Sequence, residues 1–172
     1  MRHHKSVFAV PMMLTMLLLA ALASPGGVSA QAGESDSRFG IGFQSSWPSY
    51  GVSGLYDMSD RVTLQAIVGA LGTVTNLGGR ALYRFQLEDK YDLFGFGAVG
   101  ALRYSVTGFS ESAIGFGGGA GIELDWQAII SPDDDSFPPL YSTIDLGFMG
   151  NTFETYGDYS ALSMGASIHY RF

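Results

Sequence analysis

The sequence predicts an all-β protein, a closed antiparallel up-and-down β-barrel of eight strands. Three observations predict it. Over the last eleven residues, Leu162, Met164, Ala166, Ile168, Tyr170 and Phe172 alternate with Ser163, Gly165, Ser167, His169 and Arg171. That period of two gives a strand one bulky apolar face and one small or polar face. The same alternation recurs along the chain between turn signals. No stretch after residue 30 carries apolar residues at i, i+3, i+4 and i+7, the spacing of an amphipathic helix.

The chain opens on Arg2, His3, His4 and Lys5, followed by the almost wholly apolar run Val7–Ala23, the turn signal Pro25-Gly26-Gly27 and the small-x-small site Val28-Ser29-Ala30. This predicts a cleaved secretory signal over 1–30. Residues 31–38 form a short polar lead-in, and 39–172 one domain, as expected for about 142 remaining residues. Cleavage removes Arg2 and Lys5, so Lys+Arg falls from 9 to 7 against 16 Asp+Glu, and the net charge is about −9. An acidic chain without a Lys/Arg run is unsuited to nucleic acid, which demands clustered cations. With 0 cysteines, disulfide staples, thiol catalysis and thiolate metal sites are excluded.

The strands follow in order. Phe39, Ile41 and Phe43 alternate with Gly40, Gly42 and Gln44. A less regular strand lies near Gly51–Asp57. Val62, Leu64, Ala66 and Val68 alternate with Thr63, Gln65, Ile67 and Gly69; Ala81, Tyr83, Phe85 and Leu87 with Arg80, Leu82, Arg84 and Gln86. In the fifth strand Phe94, Phe96, Ala98, Leu102 and Tyr104 are assigned to the bulky face, with Gly95, Gly97 and Arg103 opposite. In the sixth, Ile114, Phe116, Ala120, Ile122, Leu124 and Trp126 oppose Gly115, Gly117, Gly119, Gly121, Glu123 and Asp125. In the seventh, Leu140, Ser142, Ile144, Leu146 and Phe148 face away from Tyr141, Thr143, Asp145 and Gly147. Residues 162–172 complete the eight. Turns are expected at Ser59-Asp60, Gly72–Asn76 and Glu88–Lys90. Loops are expected at Ser45–Tyr50, Ser105–Glu111, Ser131–Pro139 and Gly150–Tyr159.

Periodicity alone does not say which face is outside. A soluble barrel puts its bulky residues inside, a membrane barrel outside. Volume decides. The small face is rich in glycine, which suits the crowded axis of a narrow cylinder, whereas a water-facing surface would carry Lys, Glu and Thr. The bulky face is therefore assigned to lipid. Arg80, Arg84, Arg103, Glu123, Asp125, Asp145, His169 and Arg171 then fall on the inward parity. Inside a narrow lumen, charges must pair, so an Arg–carboxylate network spanning the fourth to eighth strands is expected. Eight strands leave an interior that side chains fill.

With these residues in place, the chain resembles the small eight-stranded bacterial outer-membrane barrels, the OmpA transmembrane-domain and OmpX-like superfamily. The resemblance covers the signal and 39–172, and its sharpest element is the ending: Phe172, Tyr170, Ile168, Ala166 and Met164 match the family's terminal assembly signal. The resemblance implies an outer-membrane location, recognition by the barrel-assembly machinery, and outer-membrane lipid or lipopolysaccharide as surroundings. No cofactor is implied, and a monomer is expected. Three roles follow. The first is a structural or interaction barrel with a filled lumen. The second is a narrow channel or carrier for small solutes. The third is a lipid A-modifying enzyme. The enzyme reading requires a nucleophile, a base and an orienting carboxylate together. After cleavage only His169 remains as a histidine; with Ser163 or Ser167 and Asp145 it makes a triad on paper, at the end away from the outer leaflet. The chain is accordingly read as a non-enzyme. Asp133-Asp134-Asp135 lacks the spacing of a calcium loop; no metal is expected. The glycine run 115–121 lacks the Lys-Ser/Thr of a phosphate loop. Interface anchoring is assigned to Tyr91, Trp126, Tyr170 and Phe172 at one end, and to Trp47, Tyr50, Tyr104, Phe109, Tyr156 and Tyr159 at the other. The absence of residues after Phe172 argues against a peptidoglycan-anchoring domain.

Overall fold

The computed structural model describes residues 38–46, 49–133, 136–152 and 159–172. The signal read at 1–30, most of the lead-in, Trp47, Tyr156, Asp134 and Asp135 lie outside the described residues.

Eight strands follow one another: β1 (Phe39–Ser45), β2 (Tyr50–Ser59), β3 (Val62–Leu71), β4 (Val74–Leu87), β5 (Tyr91–Val106), β6 (Phe109–Asp125), β7 (Leu140–Asn151) and β8 (Tyr159–Arg171). Each pairs antiparallel with its neighbours, and β8 returns to β1, so the sheet is a closed up-and-down barrel. At the seam Gly40 lies opposite Arg171 and Ser45 opposite Ala166. The Phe172 amide donates to the Phe39 carbonyl at 2.9 Å. Closure leaves the sheet without a free edge strand.

One end of the barrel carries the start of β1 and the end of β8 (the terminal end); the other carries the β1–β2 connection (the loop end). Hydrogen-bonded neighbours share a face, so the ladders trace the belts directly. Phe43, Val52, Val68, Leu77, Ala101 and Ile114 are successive register partners, and all six are exposed. One residue along, Gln44, Ser53, Ile67 and Asn76 are buried.

Four features differ from the sequence reading. First, the turn expected over Gly72–Asn76 is two residues long, since β4 begins at Val74 and pairs Asn76 with Gly69. Secondly, β5 presents the opposite face. Phe94 and Leu102 are each 1 % exposed and point into the lumen, while Arg103 is exposed. The register explains it: Arg84 lies opposite Phe94, Leu82 opposite Phe96 and Arg80 opposite Ala98, so the inward face of β4 dictates that of β5. Thirdly, the chain is not purely strand. A five-residue helix, α1 (Trp126–Ile130), follows β6, and the Asp125 carboxylate caps it by accepting from the Ala128 amide at 3.1 Å. Trp126, assigned to a strand, opens this helix and donates through Nε1 to Ser142 Oγ at 2.9 Å. Fourthly, β5 and β6 run out to Val106 and Phe109 and turn at Gly108 (φ 82°), so the loop expected over Ser105–Glu111 is two residues long.

The glycines on β6 make room for the inward rings. Phe94 is the register partner of Gly121, and a Cβ on Gly121 would stand 2.6 Å from the Phe94 ring. An aromatic side chain laid across a cross-strand glycine packs the lumen without pushing the strands apart.

Candidate functional site

The lumen holds two groups of charges. Toward the terminal end, Glu123 of β6 lies between two arginines. Arg84 of β4 approaches it through Nη2 at 2.9 Å, and Arg171 of β8 through Nη2 at 3.0 Å. Arg84 also reaches Asp92 Oδ2 at 3.1 Å and Asp57 Oδ1 at 3.4 Å. Arg171 Nε lies 3.6 Å from the other Asp57 oxygen. The Thr63 hydroxyl donates to Asp57, and the Arg171 guanidinium stacks 4.2 Å from the centre of the Tyr141 ring. Nearer the middle, Arg80 Nη2 donates to Asp145 Oδ2 at 2.8 Å, with its guanidinium 4.1 Å from the centre of the Phe96 ring. Both partners are almost fully buried.

These contacts arise from the alternation of each strand. Arg80 and Arg84 are four apart on β4, Asp145 and Thr143 two apart on β7, and His169 and Arg171 two apart on β8, so each set points to the axis together.

Polar side chains hydrogen-bonded to one another lie beside both groups. His169 Nε2 bonds the Ser53 hydroxyl and lies 3.5 Å from Gln65 Nε2. Gln65 also donates to Gln44 at 3.1 Å and to Ser53 at 3.2 Å. Ser167 and Thr143 share a hydrogen bond of 2.7 Å. The cavity among these residues, Arg80 and Glu123 is about 10 Å³, the size of one water.

Of the eight charged residues assigned to the lumen from sequence, Arg80, Arg84, Glu123, Asp145 and Arg171 meet in ion pairs. His169 is buried and hydrogen-bonds Ser53 rather than a carboxylate. Two others form no ion pair with an arginine of the lumen. Arg103 lies on the outside of β5 near the loop end, its Nε donating to Ser110 at 3.4 Å, because β5 turns its other face inward. Asp125 caps α1 and also hydrogen-bonds Tyr141, the ring under the Arg171 guanidinium. Two members were missed: Asp57, which continues the inward parity of Ser53 and Leu55 on the less regular β2, and Asp92, which shares the inward face of Phe94 on β5. The network therefore reaches back to β2 rather than stopping at β4.

The triad drawn on paper does not assemble. Ser163 lies opposite Gly147, well along β8 from His169; Ser167 bonds Thr143, Asp145 bonds Arg80, and His169 bonds Ser53. Among the described residues no group of three or more His, Asp or Glu is placed to hold a metal ion. Met164, Ala166, Ile168, Tyr170 and Phe172 are all exposed on the outer face of β8, and the Tyr170 and Phe172 rings stack 6.3 Å apart.

No protein-family model matches this chain, and no curated protein matches it. Solved structures do. The N-terminal β-barrel domain of Pseudomonas aeruginosa OprF superposes with a TM-score of 0.50 at 12% identity, covering 78% of this chain and 95% of that one. Neisserial surface protein A (0.38, 16% identity, 78% and 93%) and the attachment invasion locus protein Ail of Yersinia pestis (0.34, 14% identity, 79% and 97%) also match. The OprF match, together with the closed ring of eight antiparallel strands, gives this chain the fold of the small OmpA/OmpX-like barrels.

Proposed function

We propose that the protein is an integral barrel of the bacterial outer membrane with a structural or interaction role in the envelope, its lumen filled by side chains. One observation carries this reading: large apolar residues are exposed around the whole outer wall while the ion pairs are sealed inside. In water such a wall would be an aggregating patch. In hydrocarbon it is the low-energy surface, and ring closure satisfies the backbone. Phe39, Tyr56, Tyr83, Tyr91 and Tyr170 lie near the terminal end and suit an interface girdle. The exposed ending of β8, Met164 to Phe172, suits recognition by the barrel-assembly machinery, and the fully lipid-clad wall suits a monomer among phospholipid and lipopolysaccharide.

The plugged axis favours this reading over a channel or carrier. Phe94, Ile67 and Leu102 are buried in the lumen, and the axial cavity is water-sized. The same sealing leaves His169 without room for a substrate, which favours a non-enzyme. Two measurements test the reading. The protein is expected in the outer-membrane fraction, migrating faster on a gel before boiling than after. In a planar bilayer it is expected to give no sustained conductance. Recovery in the soluble fraction overturns the membrane assignment; steady large openings overturn the filled lumen.

A further inference from the structure

The outward wall of β4, β5 and β6 changes its chemistry within one step of the ladder. Leu77, Ala101 and Ile114 are register partners across these strands, all apolar and exposed. The next outward row toward the loop end is Thr75, Arg103 and Ser112, and beyond it Ser105 lies opposite Ser110. These five are exposed as well. Among the described residues, Arg103 is the one charged side chain on the outward face of any strand.

The strand itself sets the height of this row. From Tyr91, at the terminal end, to Arg103, β5 rises about 30 Å, at about 3.3 Å per residue and a tilt of about 40°. The outward residues between them are Leu93, Gly95, Gly97, Val99 and Ala101, none with a polar side chain. That rise is the thickness of a hydrocarbon core, so the polar row stands where lipid headgroups begin. An outward arginine is costly at mid-membrane and nearly free at this level. The guanidinium is tethered but not used up. Arg103 Nε donates to Ser110 at 3.4 Å, and its two terminal nitrogens have no partner among the described residues. Glu111, the carboxylate nearest in the hairpin, lies opposite Tyr104 and so on the other face.

We propose that Arg103, with the hydroxyls of Thr75, Ser110 and Ser112, binds the phosphate of an anionic lipid headgroup at the loop-end interface. The lipid's chains lie on the apolar wall below, against Val99, Ala101 and Ile114. The edge of a guanidinium matches two oxygens of one phosphate, and hydroxyls on the neighbouring strands add donors beside it. The source is lipid rather than free phosphate. The chain is acidic, with a net charge of −7, and repels anions in solution. A lipid phosphate is instead delivered to Arg103 at fixed depth by chains that are already in contact with the wall.

The proposal rests on the membrane reading above, and the experiment separates the two. The barrel is released from detergent micelles containing equal amounts of dimyristoyl phosphatidylglycerol and dimyristoyl phosphatidylcholine, and weighed by native mass spectrometry. The parent protein is expected to retain phosphatidylglycerol in preference to phosphatidylcholine. Arg103→Gln is expected to lower that preference about tenfold, and Ser110→Ala with Ser112→Ala, which keeps the charge, about threefold. Lys90→Gln removes a cation at the terminal end and is expected to behave like the parent. Millimolar inorganic phosphate is expected to leave the lipid adduct in place. Heat-modifiable migration establishes that each variant is folded; its loss in the parent itself would sink the membrane reading instead. No preference in the parent, equal losses in Lys90→Gln and Arg103→Gln, full preference in the serine variant, or displacement of the lipid by inorganic phosphate overturns the headgroup site.

Discussion

The two charged groups in the lumen solve the same problem differently. The terminal-end cluster is redundant: Arg84 has Glu123, Asp92 and Asp57 within ion-pair distance, and Arg171 shares two of the same carboxylates. The central pair is single. Arg80 has Asp145 as its carboxylate and the Phe96 ring as its other neighbour. Taking a charge out of water costs several kcal/mol, which is repaid only by good geometry and further hydrogen bonds. A shared cluster spreads that repayment over several partners. The pair concentrates it in one contact and is correspondingly brittle.

Substitutions can break this contrast, and denaturant unfolding in micelles reads their effects. Glu123→Leu is expected to do most damage, about 4–5 kcal/mol, because it deprives two buried guanidiniums at once. Asp145→Leu is expected to cost about 3 kcal/mol, leaving Arg80 with an aromatic face alone. Adding Arg80→Met to Asp145→Leu should recover most of that loss, to within about 1 kcal/mol of the parent, since removing both charges removes the desolvation cost too. Asp92→Asn is expected to cost under about 1 kcal/mol: Asp92 is partly exposed, and Arg84 keeps its other partners. If Asp92→Asn proved as harmful as Asp145→Leu, the redundancy of the cluster would be refuted.

The strand content was legible because alternation is a local property. Phe39 to Phe43, Val62 to Gly69 and Leu162 to Phe172 each declare their period without help from neighbours. The orientation of β5 was not, because apolar residues stand on both its faces: Phe94, Phe96 and Leu102 on one, Leu93, Val99 and Ala101 on the other. Bulk pointed the larger set outward. The register with β4, a non-local property, points it inward, and Gly119 and Gly121 on β6 are the sequence signal that could have revealed it. Arg103 was misplaced for the same reason. Asp57 is hidden by the irregular pattern of β2, and Asp92 by the ambiguous faces of β5. α1 was hidden because Trp126 continues the parity of β6 while Asp125 supplies the cap that ends it.

The seam between β1 and β8 is the shortest ladder in the barrel, running only from Gly40–Arg171 to Ser45–Ala166. Its halves come from opposite extremes of the folded region, so every intervening hairpin can zip by local encounters whereas this joint must await a meeting of distant segments. Of the eight pairings it is the one that closes the longest loop, and so the one with the largest closure entropy to overcome.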